Sequence, residues 1–331
     1  MNDSDSAQPE TKPNRSRGAV RWLIRSGMWL LLAGFAFSYF GQLSFFAELL
    51  TNFRTQFCLL FLVALLLARP VKASWLLFGC LLVAIGFSGW DVGKFYLPGE
   101  QPVPGDTTIR VMSFNVLANN EEFDVAIAEI EEHDPDVVAV LEYADMWHFV
   151  FDALNEKYPH QHRDPRWHGY GIAIFSKFPL EEAKSIPLTE KVIDNPAASV
   201  KVRVGDQLIR FIAVHVMSPI RPYRLELRNR QFEEIAGHVN SESEPTILVG
   251  DMNCTTSSSY LSGLIETANL RDTRQGFGLH PSWPSIAGVF AVPIDHILVS
   301  ETIHVHKRYL GDAGGSDHCP VIVDVSVSSN R

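Results

Sequence analysis

Three long apolar runs occupy the first hundred residues of the chain. Uncharged segments extend over residues 26–47, 55–68 and 73–90, and they are 22, 14 and 18 residues long. A helix of about 20 apolar residues crosses the hydrocarbon core of a bilayer, and the shorter middle run also crosses if the arginines at its ends reach toward the interface. The pattern predicts a three-helix transmembrane anchor over residues 26–90. A buried helix is the alternative interpretation of the middle run.

The charged residues around these runs predict an orientation. Residues 1–25 form a basic tail, of which residues 1–20 have a disordered composition, and more basic residues lie in the 69–72 turn between the second and third runs. The positive-inside rule places both segments in the cytoplasm. With three spans, we expect a multi-pass protein of the inner membrane with everything after Trp90 on the periplasmic or extracellular face. If the middle run does not cross the membrane, the residues after Trp90 lie on the opposite face, in the cytoplasm.

The pattern changes after residue 90. Residues 91–107 contain several prolines and glycines and are predicted to be a linker. Residues 108–331 alternate short apolar strands with amphipathic helices, and Gly205-Asp206 is predicted to be the two-residue turn of a hairpin. We expect an α/β domain in which two sheets pack face to face with helices outside. The strands are predicted over residues 109–116, 136–142, 171–176, 198–204, 207–216, 246–250, 294–300 and 321–327, and the helices over residues 122–132, 224–239 and 260–268.

The charge differs between these two parts of the chain. The whole chain has 28 basic and 38 acidic residues, a formal net charge of −10. Residues 1–100 hold nine basic and six acidic residues, a net of +3, so residues 101–331 carry −13. The composition excludes a disordered or fibrous chain. The strongly acidic second part disfavours avid binding to a nucleic acid backbone.

Polar residues end or interrupt the predicted buried strands. Each one alone has an ordinary structural interpretation as a turn residue or a helix cap. Buried polar groups need partners, and carboxylates, amides and imidazoles gathered at strand ends satisfy one another around a metal ion and a phosphate. Together they predict a catalytic centre built from Asn115, Glu142, His215, Asp251, Asn253, Asp295, Asp317 and His318.

At these positions the sequence resembles the endonuclease/exonuclease/phosphatase superfamily, which includes DNase I-like nucleases and sphingomyelinases. The resemblance extends over residues 108–327 and implies a four-layer α/β/β/α sandwich, here preceded by three transmembrane helices. It also implies in-line hydrolysis of a phosphoester by water, without a covalent enzyme intermediate. The motifs that carry it are Ser113-Phe-Asn115, Pro135-Asp136 through Leu141-Glu142, Asp251-Met-Asn253, Ile294-Asp295-His296 and Ser316-Asp317-His318.

The resemblance implies a metal site. Glu142 would be the main ligand of Mg²⁺, with Mn²⁺ as the alternative ion. Asn115 would help to hold the metal or its water, and Asp317 would lie close to it. Mg²⁺ prefers hard oxygen ligands and requires only one or two carboxylates besides the substrate phosphate.

The resemblance also implies catalytic roles. His318 would contact the phosphate or activate the attacking water, and Asp295 would orient His318 and stabilise its charged form. Asp251 would position or deprotonate that water. Asn253 and His215 would donate hydrogen bonds to the negative charge that develops on the phosphate. Whether Asp251 or His318 is the base stays open at this stage.

The segment after His215, with the Arg-Asn-x-Gln pattern that begins at Arg228, looks like the membrane-anchored branch of the superfamily. The three spans resemble those of teicoplanin-resistance type proteins, which are associated with dephosphorylation of polyprenyl pyrophosphate. Substrate-binding roles are predicted for Arg228 and Trp283, with ordinary packing or a solvated helix face as the alternatives. The other arginines that could approach an anionic head group are Arg221, Arg224 and Arg230.

The sequence therefore predicts a membrane-anchored phosphatase or phosphodiesterase with a lipid-linked or other phosphoester as substrate and the lipid bilayer as its partner. A membrane-tethered nuclease is the alternative, and nucleic acid is the disfavoured substrate. A catalytically inactive binding module is the third possibility, and no protein partner is predicted. Cys254 and Cys319 flank the proposed centre; two free thiols are expected, and a disulfide between them is the competing hypothesis.

Overall fold

The computed structural model of the chain describes residues 15–105, 107–167, 169–189 and 194–328. Residues 1–14, which hold most of the predicted disordered tail, lie outside the described part. The helices are α1 (Arg15–Phe37), α2 (Phe45–Thr51), α3 (Arg54–Ala68), α4 (Trp75–Gly93), α5 (Phe123–His133), α6 (Asp145–Val150), α7 (Pro222–Val239) and α8 (Ser259–Thr267). The strands are β1 (Thr108–Asn115), β2 (Val137–Leu141), β3 (His160–Asp164), β4 (Ile172–Ser176), β5 (Leu180–Pro187), β6 (Pro196–Val204), β7 (Gln207–His215), β8 (Thr246–Asp251), β9 (Leu270–Asp272), β10 (Asp295–Ser300), β11 (Ile303–Leu310) and β12 (Val321–Val327).

The amino-terminal helices differ from the predicted anchor in two respects. Helix α1 begins at Arg15, so residues 15–20 are helical and not disordered. Within the described part, two helical stretches are long and apolar enough to cross a membrane, Ser16–Phe40 and Trp75–Tyr96. The predicted third span is long enough to cross only if α2 and α3 are counted together, and these two helices are bent by 75° relative to each other. Helix α3 alone, with 15 residues, is about 22 Å long, against a hydrocarbon core of about 30 Å.

The remainder of the chain folds into two six-stranded sheets packed face to face. The strand order is β11-β12-β1-β2-β4-β3 in the first sheet and β5-β6-β7-β8-β10-β9 in the second. Side chains such as Val111, Leu141 and Val249 fill the space between the sheets. Helices α5 and α6 cover the outer face of the first sheet, and α7 and α8 cover the second. The α/β/β/α sandwich expected from the sequence is confirmed.

Strand pairing brings several strand ends together. Strands β1 and β2 are parallel neighbours, with Asn115 opposite Leu141, the residue before Glu142. Strands β7 and β8 are also parallel and pair His215 with Asp251. Strand β10 runs antiparallel to β8, so its first residue, Asp295, lies opposite the last residue of β8, Asp251. Polar residues that are far apart in sequence therefore meet at one edge of the sandwich.

The predicted linker is a packed segment. Residues 91–93 complete α4, and the residues that follow contact the catalytic domain. The amide of Gly276 donates to the carbonyl of Phe95 at 2.9 Å, and the guanidinium of Arg274 lies 4.1 Å from the centre of the Phe95 ring. Gly105 donates its amide to Ser326 Oγ at 3.0 Å. These contacts join the helices to the sandwich along the whole connection.

Candidate active site

Two buried aspartates and a buried histidine form the centre of the candidate site. Asp251 ends β8, Asp295 begins β10, and His318 precedes β12. One potential ligand atom from each of the three lies within 4.8 Å of the others. His318 Nδ1 lies 2.8 Å from Asp295 Oδ2, and His318 Nε2 lies 3.8 Å from Asp251 Oδ2. The imidazole is therefore held between two carboxylates.

Asp295 keeps His318 charged. Burial alone would lower the pKa of His318, but the charge and hydrogen bond of Asp295 outweigh burial and raise the pKa to about 10. Burial opposes ionisation of Asp295 as well, and the pKa of Asp295 is nevertheless lowered by His318 and by the hydroxyl of Ser282, which donates to its Oδ2 at 2.6 Å. His318 is thus an imidazolium at neutral pH, and its orientation is set by Asp295.

The surroundings of Asp251 shift its pKa in the direction opposite to that of Asp295, toward the neutral carboxyl group. Burial, followed by the charge of Asp295, raises the pKa of Asp251 to about 6, although His318 and His215 lower it. Its Oδ1 accepts the amide of Asn253 at 2.7 Å. Gly250, the residue before it, has a φ of 143°, and a Cβ there would collide with the carbonyl of Val214 on the neighbouring strand. Only glycine lets β8 approach β7 closely enough to place Asp251 here.

Glu142 lies just beyond the end of β2, where its backbone has a φ of 57°. Such left-handed backbone is costly for a residue with a side chain and is concentrated at functional sites. Its Oε2 accepts the amide of Ala118 at 2.9 Å, and its Oε1 accepts Asn115 Nδ2 at 3.1 Å. The same Asn115 amide lies 3.5 Å from Asp251 Oδ2. Asn115 therefore links Glu142 to the buried cluster.

The donor atoms near Glu142 suit a hard divalent cation. The carboxylates of Glu142 and Asp317, which both line the cavity, supply the oxygen that Mg²⁺ and Mn²⁺ prefer, whereas the side-chain oxygen of Asn115 accepts the amide of Leu117 at 3.1 Å. Asp317 Oδ1 is buried and has no hydrogen-bond partner among the described residues, as expected for an oxygen that binds an ion or its water. Protonated His318 has no lone pair to offer, so the cation would bind on the Glu142 side of the cluster.

Trp283 and Asp317 lie together at one side of this cluster. The indole Nε1 donates to Asp317 Oδ2 at 2.9 Å, and the centre of the indole ring lies 6.3 Å from that of His318. Both residues line the same cavity as the catalytic groups. Trp283 therefore orients Asp317 and also forms part of the cavity wall, so the position predicted for it near the substrate is consistent with the geometry.

His215 and Asn253 complete the polar floor. His215 Nε2 lies 3.6 Å from Asp251 Oδ2, and its Nδ1 lies 3.1 Å from the carbonyl of Gly169. Asn253 Nδ2 donates to the carbonyl of Val216 at 2.9 Å. Both side chains line the cavity. Since this bond accounts for one of the two amide hydrogens of Asn253, the other is left for a ligand.

The substrate-binding prediction for Arg228 is wrong. Arg228 is completely buried, and its Nη2 donates to Glu48 Oε1 in α2 at 2.6 Å. The helical repeat explains this, because Arg228 shares the inner face of α7 with Leu225 and Phe232. Arg224, one turn earlier, is the arginine of this helix that lines the cavity.

The cavity is larger than the polar cluster requires. Its volume is about 990 Å³, and its walls include residues that the sequence did not indicate. Tyr170 follows the glycine that contacts His215. Three more belong to the predicted amino-terminal anchor, and no local motif could have identified them, because the contact depends on how α2 packs on the domain. These anchor residues are Leu49, Asn52 and Phe53.

The two cysteines near the site are free thiols. Cys254 is buried and Cys319 is half-buried. Burial raises the pKa of the Cys254 thiol to about 12, so it stays protonated at neutral pH. The disulfide hypothesis is therefore wrong, and the expectation of two unpaired thiols is confirmed.

Comparison with known proteins agrees with this architecture. The model of the Endonuclease/Exonuclease/phosphatase family matches residues 112–318. An endonuclease/exonuclease/phosphatase from Beutenbergia cavernae is 20% identical, with a TM-score of 0.55 over 67% of this chain and 72% of that one. No curated protein matches the chain.

Two further solved structures share the fold at lower identity. TDP2 of D. rerio, complexed with a single-strand DNA product, is 16% identical, with a TM-score of 0.57 over 67% of this chain and 100% of that one. Sphingomyelinase C from Streptomyces griseocarneus is 16% identical, with a TM-score of 0.50 over 66% of this chain and 99% of that one. Since the family model matches most of the sandwich, from β1 to His318, the chain belongs to the endonuclease/exonuclease/phosphatase family.

Proposed function

We propose that the protein is a membrane-anchored, divalent-metal-dependent phosphoester hydrolase that acts outside the cytoplasm on a lipid-linked phosphate, diphosphate or phosphodiester. Membership of the family and the cluster around Asp251 and His318 support phosphoester hydrolysis. The proposal of a lipid substrate rests mainly on one observation, which is that the catalytic cavity lies at the level of the ends of the anchor helices.

The ends of three anchor helices meet on the side of the catalytic domain. Arg54, at the start of α3, lies 3.2 Å from Asp91 near the end of α4, and its guanidinium lies 4.1 Å from the centre of the Tyr39 ring, just after α1. Charged and amphipathic side chains in such a position are typical of a membrane interface. In the proposed arrangement, this cluster lies at the level of the bilayer surface.

The cavity lies at that same level. Gln56, in the first turn of α3, donates its Nε2 to the carbonyls of Phe290 and Ala291 at 3.2 and 3.0 Å. Val292 and Ile294, which follow directly in sequence, line the cavity. A phosphate on a membrane lipid is displayed at the bilayer surface, so it could reach Asp251 and His318 without the lipid leaving the membrane.

Basic residues support the proposed orientation. The end of the helical anchor away from the catalytic domain holds the start of α1 and the turn between α3 and α4. By the positive-inside rule this end faces the cytoplasm, and the catalytic domain faces the periplasm or the extracellular space. The basic residues at that end are Arg17, Arg21, Arg25, Arg69 and Lys72.

A pair of reporter fusions tests the orientation. Alkaline phosphatase fused after residue 100 should be active, because it would be exported, whereas the same enzyme fused after residue 72 should be inactive. The reverse pattern would place the catalytic domain in the cytoplasm and would contradict the proposal.

The cluster suggests a division of labour in hydrolysis. Asp251, with a pKa of about 6, is mostly ionised at neutral pH and accepts the proton of the attacking water. His318 is already protonated, so it donates a hydrogen bond to the phosphate and stabilises the negative charge that develops there. This assignment makes Asp251 the base, a choice that the sequence left open.

Glu142 and Asp317 would hold the Mg²⁺ or Mn²⁺ ion, and Asn115 would assist by orienting Glu142. When bound, the ion supplies a Lewis acid that polarises a phosphate oxygen. The protein's own contribution is to orient these ligands: Ala118 and Asn115 fix the carboxylate of Glu142, and the indole of Trp283 fixes that of Asp317.

A substrate panel tests the proposal. The full-length protein in detergent micelles with Mg²⁺ would be given polyprenyl pyrophosphate, sphingomyelin, a phosphoinositide, plasmid DNA and single-stranded DNA. We expect hydrolysis of a lipid, and release of inorganic phosphate or of a head group separates a phosphatase from a phosphodiesterase. At the same Mg²⁺ concentration, Glu142→Gln should strongly reduce the activity, whereas Glu226→Gln, on the exposed face of α7, should not. Hydrolysis of DNA and of no lipid would establish the nuclease alternative instead.

A further inference from the structure

We infer that helix α2 and the turn after it are part of the substrate site, where Leu49 and Phe53 bind the apolar chain of a lipid phosphate beside the catalytic cluster. This inference rests on the proposed lipid-linked substrate. It adds that the anchor does more than retain the enzyme at the membrane, because it forms one wall of the active site.

A buried ion pair holds α2 against the catalytic domain. Glu48, in α2, is 1% exposed, and its Oε1 accepts Arg228 Nη2 at 2.6 Å and the hydroxyl of Ser258 at 2.5 Å. Removing two charges from water is costly, and a misplaced helix would leave both charges buried without a partner. The pair therefore selects one position of α2 on the domain.

Further contacts hold the residues on either side of Glu48. The side-chain oxygen of Asn52 accepts the amide of Thr255 at 2.8 Å. Gly41, in the turn before α2, lies so close to Glu48 that a Cβ there would collide with the Glu48 carboxylate. Together with Gln56 of α3, these contacts fix the anchor on both sides of Leu49, so the wall that Leu49 belongs to is rigid.

The wall belongs to the same cavity as the catalytic residues. Leu49 and Phe53 line the same space as Asp251 and His318. Phe53 is 43% exposed, as expected for a residue at the mouth of the cavity. The cavity therefore has a polar floor and an apolar side that continues toward the membrane.

The loop before α7 adds a further apolar part to the cavity lining. Ile220, in the loop before α7, lines the cavity and is 65% exposed, and Pro219 lies next to it. Arg224 is the cation on this side. A single guanidinium beside an apolar mouth suits one phosphate group joined to a hydrocarbon chain better than it suits a polyanion such as DNA, which needs a track of cations.

The size of the cavity agrees with this occupant. Cavities of about 300–1,000 Å³ enclose ligands of drug size, and this one has a volume of about 990 Å³. A phosphate group alone would leave most of the space beside Leu49 and Phe53 in contact with water. Filling that space with the first part of a hydrocarbon chain removes apolar surface from water on both sides.

A chain-length comparison tests the inference. The full-length protein in detergent micelles would be given a long-chain isoprenoid phosphate and a short, water-soluble alkyl phosphate of the same linkage. The quantity of interest is the ratio of kcat/KM for the long substrate to that for the short one. Leu49→Ala/Phe53→Ala should lower this ratio about tenfold or more, mainly through KM, because binding of the chain is lost. Phe46→Ala is the matched control, since Phe46 is an exposed residue of the same helix that does not line the cavity.

The possible results separate the two proposals. An unchanged ratio in the double variant, with active wild-type enzyme on the long substrate, would overturn the inference and leave the proposed function standing. If the wild-type protein hydrolyses only the short substrate, the proposed lipid substrate fails. An equal loss on both substrates would mean that Leu49 and Phe53 serve only the structure, and would also overturn the inference.

Discussion

Arg228 in α7 and Glu48 in α2 form a buried ion pair, with Arg228 Nη2 2.6 Å from Glu48 Oε1. The two residues are 180 positions apart in sequence. An exposed pair of this kind would contribute little, but here both side chains are almost completely buried. The ion pair therefore determines how the anchor sits on the domain.

Loss of one partner should destabilise the protein strongly. Glu48→Ala leaves the guanidinium of Arg228 buried without its counter-charge, which costs about 3–5 kcal/mol of unfolding free energy. Thermal unfolding of the detergent-solubilised protein measures the effect, and Glu226→Ala, at an exposed position of α7, is the control. The double variant Glu48→Met/Arg228→Met should be more stable than either single variant. If the double variant is as unstable as the sum of the two, the residues do not act as a pair.

His318 should titrate far above an ordinary histidine. Its folded-state pKa is raised to about 10 from an ordinary value near 6.5, so its stabilising contribution is fully present below about pH 6.5 and is lost as the pH rises through 10. NMR of the imidazole in protein kept free of metal by a chelator measures this directly. Asp295→Asn should lower the pKa of His318 toward its ordinary value, because burial remains and the carboxylate that raises this pKa most is removed. A wild-type midpoint near 6.5 would contradict the assignment of His318 as an imidazolium.

Protonation of Asp251 should determine the pH below which hydrolysis is lost. Hydrolysis should fall as the pH decreases through about 6, because Asp251 takes up a proton and no longer accepts one from water. The apparent midpoint belongs to the coupled group of Asp251, Asp295 and His318. Asp251→Asn should lower kcat by about 10²- to 10⁴-fold, the usual contribution of a general base. A kcat within tenfold of wild type, with an unchanged pH profile, would exclude this role.

Glu142 should control metal dependence. A chelator should abolish hydrolysis, and added Mg²⁺ or Mn²⁺ should restore it in the wild-type protein. Glu142→Gln keeps the shape of the side chain and removes its charge, so it should raise the metal concentration needed for half-maximal activity by tenfold or more. The metal dependence of initial rates is the measurement, with Glu226→Gln as the control. Equal metal requirements in the two variants would exclude Glu142 as a ligand.

The interior of the catalytic domain could be predicted well from the sequence. All eight strands predicted after residue 108 are present, because interior strands carry continuous apolar runs. Four strands were not predicted, and each is an edge strand of its sheet. An edge strand borders one neighbour and is partly exposed to water, so its sequence is mixed and carries charges. These four are β3, β5, β9 and β11.

The anchor was predicted less completely. Apolar composition identified α1 and α4, which are both long enough to cross a bilayer. For the segment between them, the sequence predicts the end of the first run followed by a short span, whereas the structure bends it by 75° between α2 and α3. Hydrophobicity does not encode this bend, since it depends on the contacts that Glu48 and Asn52 make with the catalytic domain.

The sequence by itself determined which polar residues meet at the candidate site. Polar residues at the ends of apolar strands identified Glu142, Asp251, Asp295 and His318, because strand ends on neighbouring strands must meet at one edge of a sheet. Tertiary structure alone decided which other groups surround them. In the folded protein Arg228 lies outside the site, and residues of α2 form part of the cavity wall. Contacts between segments that are distant in sequence depend on packing, so no pattern within a single segment predicts them.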